Sequence, residues 1–294
     1  MNKLVMAVFP HADDVAGMCG GTLMKFIDDG WRVVLVRVTN DDKDTMSLPS
    51  KAETELENTI EFRRAAAIMG ISEIVDLGFV TDVLGDVSMV VLRERIVYCF
   101  RKYKPYAVFT FDPYAPYEPN LDHRRVAQAV EEATWVSNFH LHYPEHLEHG
   151  YEPHAVCERW YFARVPIDAN HVEDITPYME RKIEAMCAHD QMVRNTLHQL
   201  QLQLKTWGRY VPEIDAAISG DLKPLVGEFL RSNAAFIARQ YGLGEGRYAE
   251  VFRVNRFGAF EGFVQEHSLP LPGEPEEMHT RDCFNPNHAR RLFN

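Results

Sequence analysis

His11, Asp13 and Asp14 fall within one short stretch, between the apolar run Leu4–Phe9 and the glycine-rich segment Gly17-Met18-Cys19-Gly20-Gly21-Thr22. An imidazole and two carboxylates directly after a buried strand make a poor core and a good metal site. A second group of similar chemistry, Asn120-Leu121-Asp122-His123, follows another apolar run, Ala107–Phe111. Zinc takes imidazole and carboxylate ligands, and a catalytic zinc keeps three protein ligands and an open position for water. His11, Asp14 and His123 make such a set. Asp13 then stands free beside the metal, where a carboxylate can take a proton from water and later give it to a leaving amine. The bland alternative for the first group is a capped turn, since Asp is common at helix N-caps.

For the two groups to meet, the strands before them must lie in one sheet. Apolar and β-branched runs predict strands at 4–9, 31–39, 73–79, 107–111, 159–165 and 248–254. Helical spacing predicts helices at 17–29, 54–69, 87–103, 122–136, 178–204 and 222–241, with Gly30 and Gly70 as stops. Strands alternating with helices imply an α/β fold: a Rossmann-like, mainly parallel sheet with helices on both faces. Ligands of such sheets bind outside the carboxyl ends of the strands, which is where both loops fall. A helical portion at about 177–242 follows, and a proline-bearing tail, 267–294, is expected to be extended and to pack on a neighbouring copy in a homo-oligomer.

The chain has 294 residues, 46% hydrophobic and 25% charged, as expected of a globular protein with a sizeable core. The balance of 31 basic against 43 acidic residues gives −12, which argues against nucleic acid as a partner. Five scattered cysteines with no C-x-x-C pair argue against a disulfide scaffold and fit a cytoplasmic location. No stretch is long enough for a membrane span.

Several motifs, in order, resemble those of the LmbE-like (PIG-L) N-acetylglucosaminyl deacetylase superfamily. His11-Ala12-Asp13-Asp14, with Gly20-Gly21-Thr22-Leu23, resembles its H-P-D-D-E signature and continuation. Asn120-Leu121-Asp122-His123-Arg124 resembles H-P-D-H-R, and the segment from Glu61 to Gly70 resembles E-x-x-x-A-x-x-x-L-G. The segment from Lys182 to Gln191, through Ala185 and His189, resembles K-x-x-A-L-x-x-H-x-S-Q, and Tyr248 to Phe252 resembles the closing strand. The resemblance implies one zinc-deacetylase-like domain over 1–266. It implies Zn2+ held by His11, Asp14 and His123, and Asp13 as general base and then acid. The substrate would be a small N-acetylated sugar or conjugate of GlcNAc type, and Asp122 a carboxylate beside the site. The sequence departs from the family at five places: Ala12 replaces proline, Val15 a glutamate, Asn58 a substrate-contacting arginine, Asn120 a histidine and Asp190 a serine. Asn120 can donate a neutral hydrogen bond to an oxyanion but cannot act as an acid.

Two rival functions stay in view. Adjacent aspartates after a first strand also suit a receiver-like, magnesium-binding phosphoryl acceptor, although imidazoles suit zinc better. The second rival is a metal-binding scaffold with weak catalysis, which Asn58 and Asn120 make conceivable. Smaller features have bland readings. Gly17, Gly20 and Gly21 fit close helix–strand packing better than a phosphate cradle. Glu61 is either a structural hydrogen-bonding group or a solvated helix residue. His189 either packs or lines the site. His140, His142, His146, His149 and His154 read as a polar surface loop, with a second metal site as the alternative.

Overall fold

The computed structural model describes residues 2–273. The first half contains β1 (Leu4–Phe9), α1 (Asp14–Met18), α2 (Gly20–Asp28), β2 (Arg32–Thr39), α3 (Lys51–Met69), β3 (Glu73–Phe79), α4 (Met89–Tyr103), β4 (Ala107–Phe111) and α5 (Leu121–Val136). The second contains α6 (Glu145–Glu148), β5 (Glu158–Phe162), β6 (His171–Asp174), α7 (Met179–Cys187), α8 (Asp190–Thr206), α9 (Pro212–Ser219), α10 (Lys223–Gln240), β7 (Ala249–Asn255) and α11 (Glu261–His267).

The strands form one sheet in the order β3-β2-β1-β4-β5-β7-β6. Pairings from β3 through β5 are parallel, while β7 runs antiparallel to both β5 and β6. β1 and β4 are buried along their whole length, which is why they read as unbroken apolar runs rather than alternating ones. Successive side chains of β1 enter opposite faces. Val5, Ala7 and Phe9 pack with α2 and α3, whereas Leu4, Met6 and Val8 pack with α4 and α5. Chain order reverses direction across the sheet between β1 and β4. That is the switch point where an open parallel sheet leaves a crevice at its carboxyl edge.

Local chemistry sets the element ends that matter for the site. Ser50 Oγ accepts from Glu53 N at 3.2 Å and donates to the Glu53 carboxylate, a side-chain N-cap that starts α3 ahead of the expected residue 54. Asn120 caps α5, its Oδ1 accepting from Asp122 N at 2.9 Å. The helix expected at 17–29 begins at Asp14 and breaks at Cys19. The helix expected at 178–204 breaks at Ala188-His189, because the Glu61 carboxylate of α3 accepts from Gln191 N at 3.0 Å and so caps a new helix start.

β6, α6, α9 and α11 were not anticipated. β6 has four residues, three of them polar, and carries no apolar pattern. β5 stops at Phe162 rather than 165, as the chain turns toward Pro166. The tail expected from 267 falls mostly outside the described residues. No described helix is long and apolar enough to cross a membrane.

Candidate metal centre

The loops after β1 and β4 meet at the switch point. His11 leaves β1 with its backbone N–H donating to Asp14 Oδ2 at 2.8 Å, which folds the turn back on itself. Asp13 occupies the N-cap position of α1 but makes no side-chain cap bond, so its carboxylate is left to the pocket. His123 lies in the first turn of α5, its ring stacked on Phe111 at 4.0 Å between centroids.

His11 Nδ1 and His123 Nε2 face one another at 3.1 Å. Asp14 completes a triangle: Oδ1 lies 3.4 Å from His123 Nε2, and Oδ2 lies 3.6 Å from His11 Nδ1. Four tetrahedral ligands at zinc's usual bond lengths stand about 3.3 Å apart, so the three edges fit such an ion. All three residues are buried. His11, Asp41 and Asp44 also bring ligand atoms within 4.8 Å of one another. That grouping fits less well, because Asp41 is already bound by Arg37 Nη1 at 3.1 Å, Thr39 Oγ1 at 3.2 Å and Ala12 N at 3.2 Å.

Each imidazole has a carboxylate behind it. Asp122 Oδ2 lies 3.6 Å from His11 Nε2 and is fixed by Asp82 N at 2.7 Å. Glu118 Oε1 lies 3.2 Å from His123 Nδ1, while its Oε2 is 3.3 Å from Arg164 Nε. Such outer carboxylates fix ring orientation and raise ligand basicity. Burial opposes charge on His11, but the Asp122 and Asp14 carboxylates prevail and hold its pKa well above the usual value. Burial also opposes ionisation of Asp14 and Asp122, yet the facing imidazoles keep both below the usual carboxylate range. Asp13 differs: burial, together with the Asp14 charge, pushes its pKa up to about 7. Of two adjacent aspartates, one is held as an anion facing the imidazoles and the other is pushed toward its protonated form.

A pocket of about 370 Å³ opens over the triangle. His11, Asp13, Asp14, Asn120 and His123 all line it, and Asp44 and Arg164 join them. Asp122 does not reach the pocket: it is fully buried, stands beside His11 Nε2 and accepts from the backbone N–H groups of Asp82 and Leu84. With its oxygen committed to the helix cap, Asn120 has its amide nitrogen left for a ligand. Asn58 is fully buried and donates to the carbonyls of Asp41 and Asp44 at 2.9 and 3.1 Å, so it holds the wall instead of touching a ligand.

Glu118, Asp41, Asp44 and Arg164 escaped the sequence reading. The polar, acidic run 40–51 was the only signal for two of them. His189 is buried, 6.4 Å from the Phe62 ring, with neither nitrogen hydrogen-bonded among the described residues. The glycine-rich segment is no phosphate cradle. Gly21 N and Thr22 N donate to the Glu250 carboxylate at 3.0 and 2.8 Å, and a Cβ on Gly21 would sit 2.8 Å from Ile175. In the histidine-rich connection, His146 bonds Glu94 and His154 bonds the Pro105 carbonyl, both packing roles.

A sheet of this order with an imidazole–carboxylate triangle at its switch point makes this an α/β protein with a candidate metal centre. Residues 6–134 match the family model described as PIG-L, GlcNAc-PI de-N-acetylase. The diacetylchitobiose deacetylase of Thermococcus kodakarensis is 32% identical over 193 residues, covering 64% of this chain and 69% of that protein. A probable N-acetyl-alpha-D-glucosaminyl L-malate deacetylase of Bacillus anthracis is 27% identical, covering 63% of this chain and 79% of its own. The solved N,N'-diacetylchitobiose deacetylase of Pyrococcus horikoshii superposes with a TM-score of 0.70 at 25% identity, covering 88% of this chain and 85% of that one. The chain belongs to the PIG-L (LmbE-like) family.

Proposed function

We propose that this protein is a zinc-dependent N-deacetylase that frees the amine of a GlcNAc-type sugar or sugar conjugate. The observation that carries the reading is the triangle of His11, Asp14 and His123 with Asp13 in the same pocket, its proton affinity raised beside them. The relatives that cover most of the chain are named deacetylases of N-acetylated sugars.

A zinc ion held by the triangle would polarise the amide carbonyl and make water a nucleophile near neutral pH. Asp13 takes the proton from the attacking water and delivers it to the departing nitrogen. Asn120 offers its amide nitrogen to the oxygen on which charge develops. Asp122 and Glu118 hold the two rings in place throughout. A magnesium-dependent phosphoryl acceptor fits poorly, since two of the three facing groups are imidazoles, and magnesium prefers oxygen.

The test is Asp13→Asn, with metal analysis and acetate release followed together. Bound zinc should stay stoichiometric while turnover on N-acetylated sugars falls about 10²- to 10⁴-fold. Unchanged turnover would remove Asp13 from the reaction. Full zinc loading of the wild type without acetate release from any sugar would leave only a binding scaffold.

A further inference from the structure

A cavity of about 270 Å³ is enclosed by α1, α10 and the facing ends of β5 and β7. Its walls are apolar, built from Met18, Phe162, Val165, Leu230, Phe236 and Ile237. Val165 and Phe236 are 46% and 56% exposed, so the mouth is apolar and open to solvent. None of His11, Asp13, Asp14 and His123 lines this space, and Arg164 is the one residue that it shares with the metal pocket.

Three charged side chains reach the cavity: Arg164, Lys182 and Glu250. The last two cancel each other and are committed. Glu250 accepts from Gly21 N, Thr22 N, Thr22 Oγ1 and Lys182, and Lys182 donates also to Gly17 O. Arg164 therefore decides the charge of the cavity. Its Nε lies 3.3 Å from Glu118 Oε2, a carboxylate that is not in the cavity wall and that also serves His123 Nδ1 and Asn120 N. The two terminal nitrogens of Arg164 donate no hydrogen bond among the described residues, and its side chain is 55% exposed. A guanidinium with its forked edge unused, at the border of an apolar chamber, matches one ligand shape: a carboxylate carried on an apolar body.

We propose that this cavity is a binding site for a compact monocarboxylate with an apolar body. The carboxylate takes the open edge of Arg164, and the body lies between Phe162 and Phe236. A neutral ligand of the same shape leaves the guanidinium edge unused, and an amine is repelled by it. Ligand and Glu118 compete for one guanidinium, so filling the cavity draws Arg164 from the carboxylate behind His123 and couples the site to the metal centre. Binding needs neither metal nor turnover, so the proposal stands or falls apart from the deacetylase reading.

The test is calorimetric titration of the chelator-treated protein with phenylacetate, 2-phenylethanol, 2-phenylethylamine and acetate. Removing metal keeps the carboxylates from binding at the triangle. Phenylacetate should bind about tenfold or more tightly than 2-phenylethanol or acetate, and the amine weakest of all. Arg164→Gln should weaken phenylacetate binding about tenfold. Phe236→Ala should weaken it about threefold or more, through lost apolar contact. Val165→Asp, at the mouth, should weaken it by repulsion. Glu118→Gln should tighten it, because the competing anion is gone. All three wall positions are exposed, so melting temperatures should match the wild type and separate lost binding from lost fold. Absence of phenylacetate binding would overturn the proposal, as would equal affinity for phenylacetate, acetate and 2-phenylethanol. Affinity unchanged in both Phe236→Ala and Val165→Asp would place the ligand outside the cavity and overturn it too, and weaker binding in Glu118→Gln would refute the competition for Arg164.

Discussion

Glu118 supports the candidate centre from behind His123. Its carboxylate reaches His123 Nδ1, Arg164 Nε and the backbone N–H of Asn120, the last at 3.0 Å. It therefore orients the imidazole that comes from the distant loop, and its own pKa stays low because, against burial, His123, Asn120 N and Arg164 favour the anion. Glu118→Gln should keep the fold but lower zinc affinity about 10- to 100-fold, measured by competition with a chelating dye. Affinity equal to wild type would mean that Phe111 stacking alone sets the ring. Proton competition belongs to the same scale. His11 is held well above its usual pKa by the Asp122 and Asp14 carboxylates, so a zinc ion bound at its ring would have to displace a proton from it. Calorimetry of zinc binding at pH 7 should show net proton release that varies with buffer ionisation heat, and affinity should fall as pH is lowered. Proton release near zero would contradict a protonated His11.

The elements explain why some of this was legible in the sequence and some was not. β1 and β4 announce themselves through burial on both faces, and the histidine and aspartates directly after them follow the rule for parallel-sheet edges. His11, Asp13, Asp14 and His123 could therefore be named from type and position. Asp41 and Glu118 could not, because their roles come from Arg37, Thr39, His123 and Arg164 standing nearby in space, and no spacing records that. The helix break at His189 was hidden for the same reason: the group that caps α8 belongs to α3. That cap makes a pH prediction. Burial raises the Glu61 pKa from its ordinary value of 4.5 to about 7, overcoming the bond from Gln191 N. A carboxyl with a raised folded-state pKa favours folding below its unfolded pKa, and that contribution is lost as pH rises through the folded value. Glu61→Gln removes the titration while keeping an acceptor for Gln191 N. The melting temperature of the variant relative to wild type should rise between pH 5 and pH 8, and a pH-independent difference would place the Glu61 charge in solvent.

At the scale of the whole molecule, the helices after β6 are bound to the sheet by the strand that follows them. β7 enters between β5 and β6, and its Glu250 reaches across to Gly21 N, Thr22 N and Thr22 Oγ1 of α2 and to Lys182 of α7. Lys182 in turn donates to Gly17 O at 2.7 Å, on the helix that begins at the metal loop. One buried ion pair thus ties the closing strand, the first two helices and the helical portion to one another. Both partners are almost fully buried, so removing one leaves an unpaired charge. Lys182→Met should destabilise the fold by about 3–5 kcal/mol, and the double variant Lys182→Met/Glu250→Leu should recover much of that loss. Thermal unfolding followed at once by near- and far-ultraviolet dichroism should give one coincident transition for the wild type. For Lys182→Met that transition should move down as a whole. Two separated transitions, with the sheet surviving the helices, would show that residues 177–242 fold as a unit of their own and that the ion pair joins two domains.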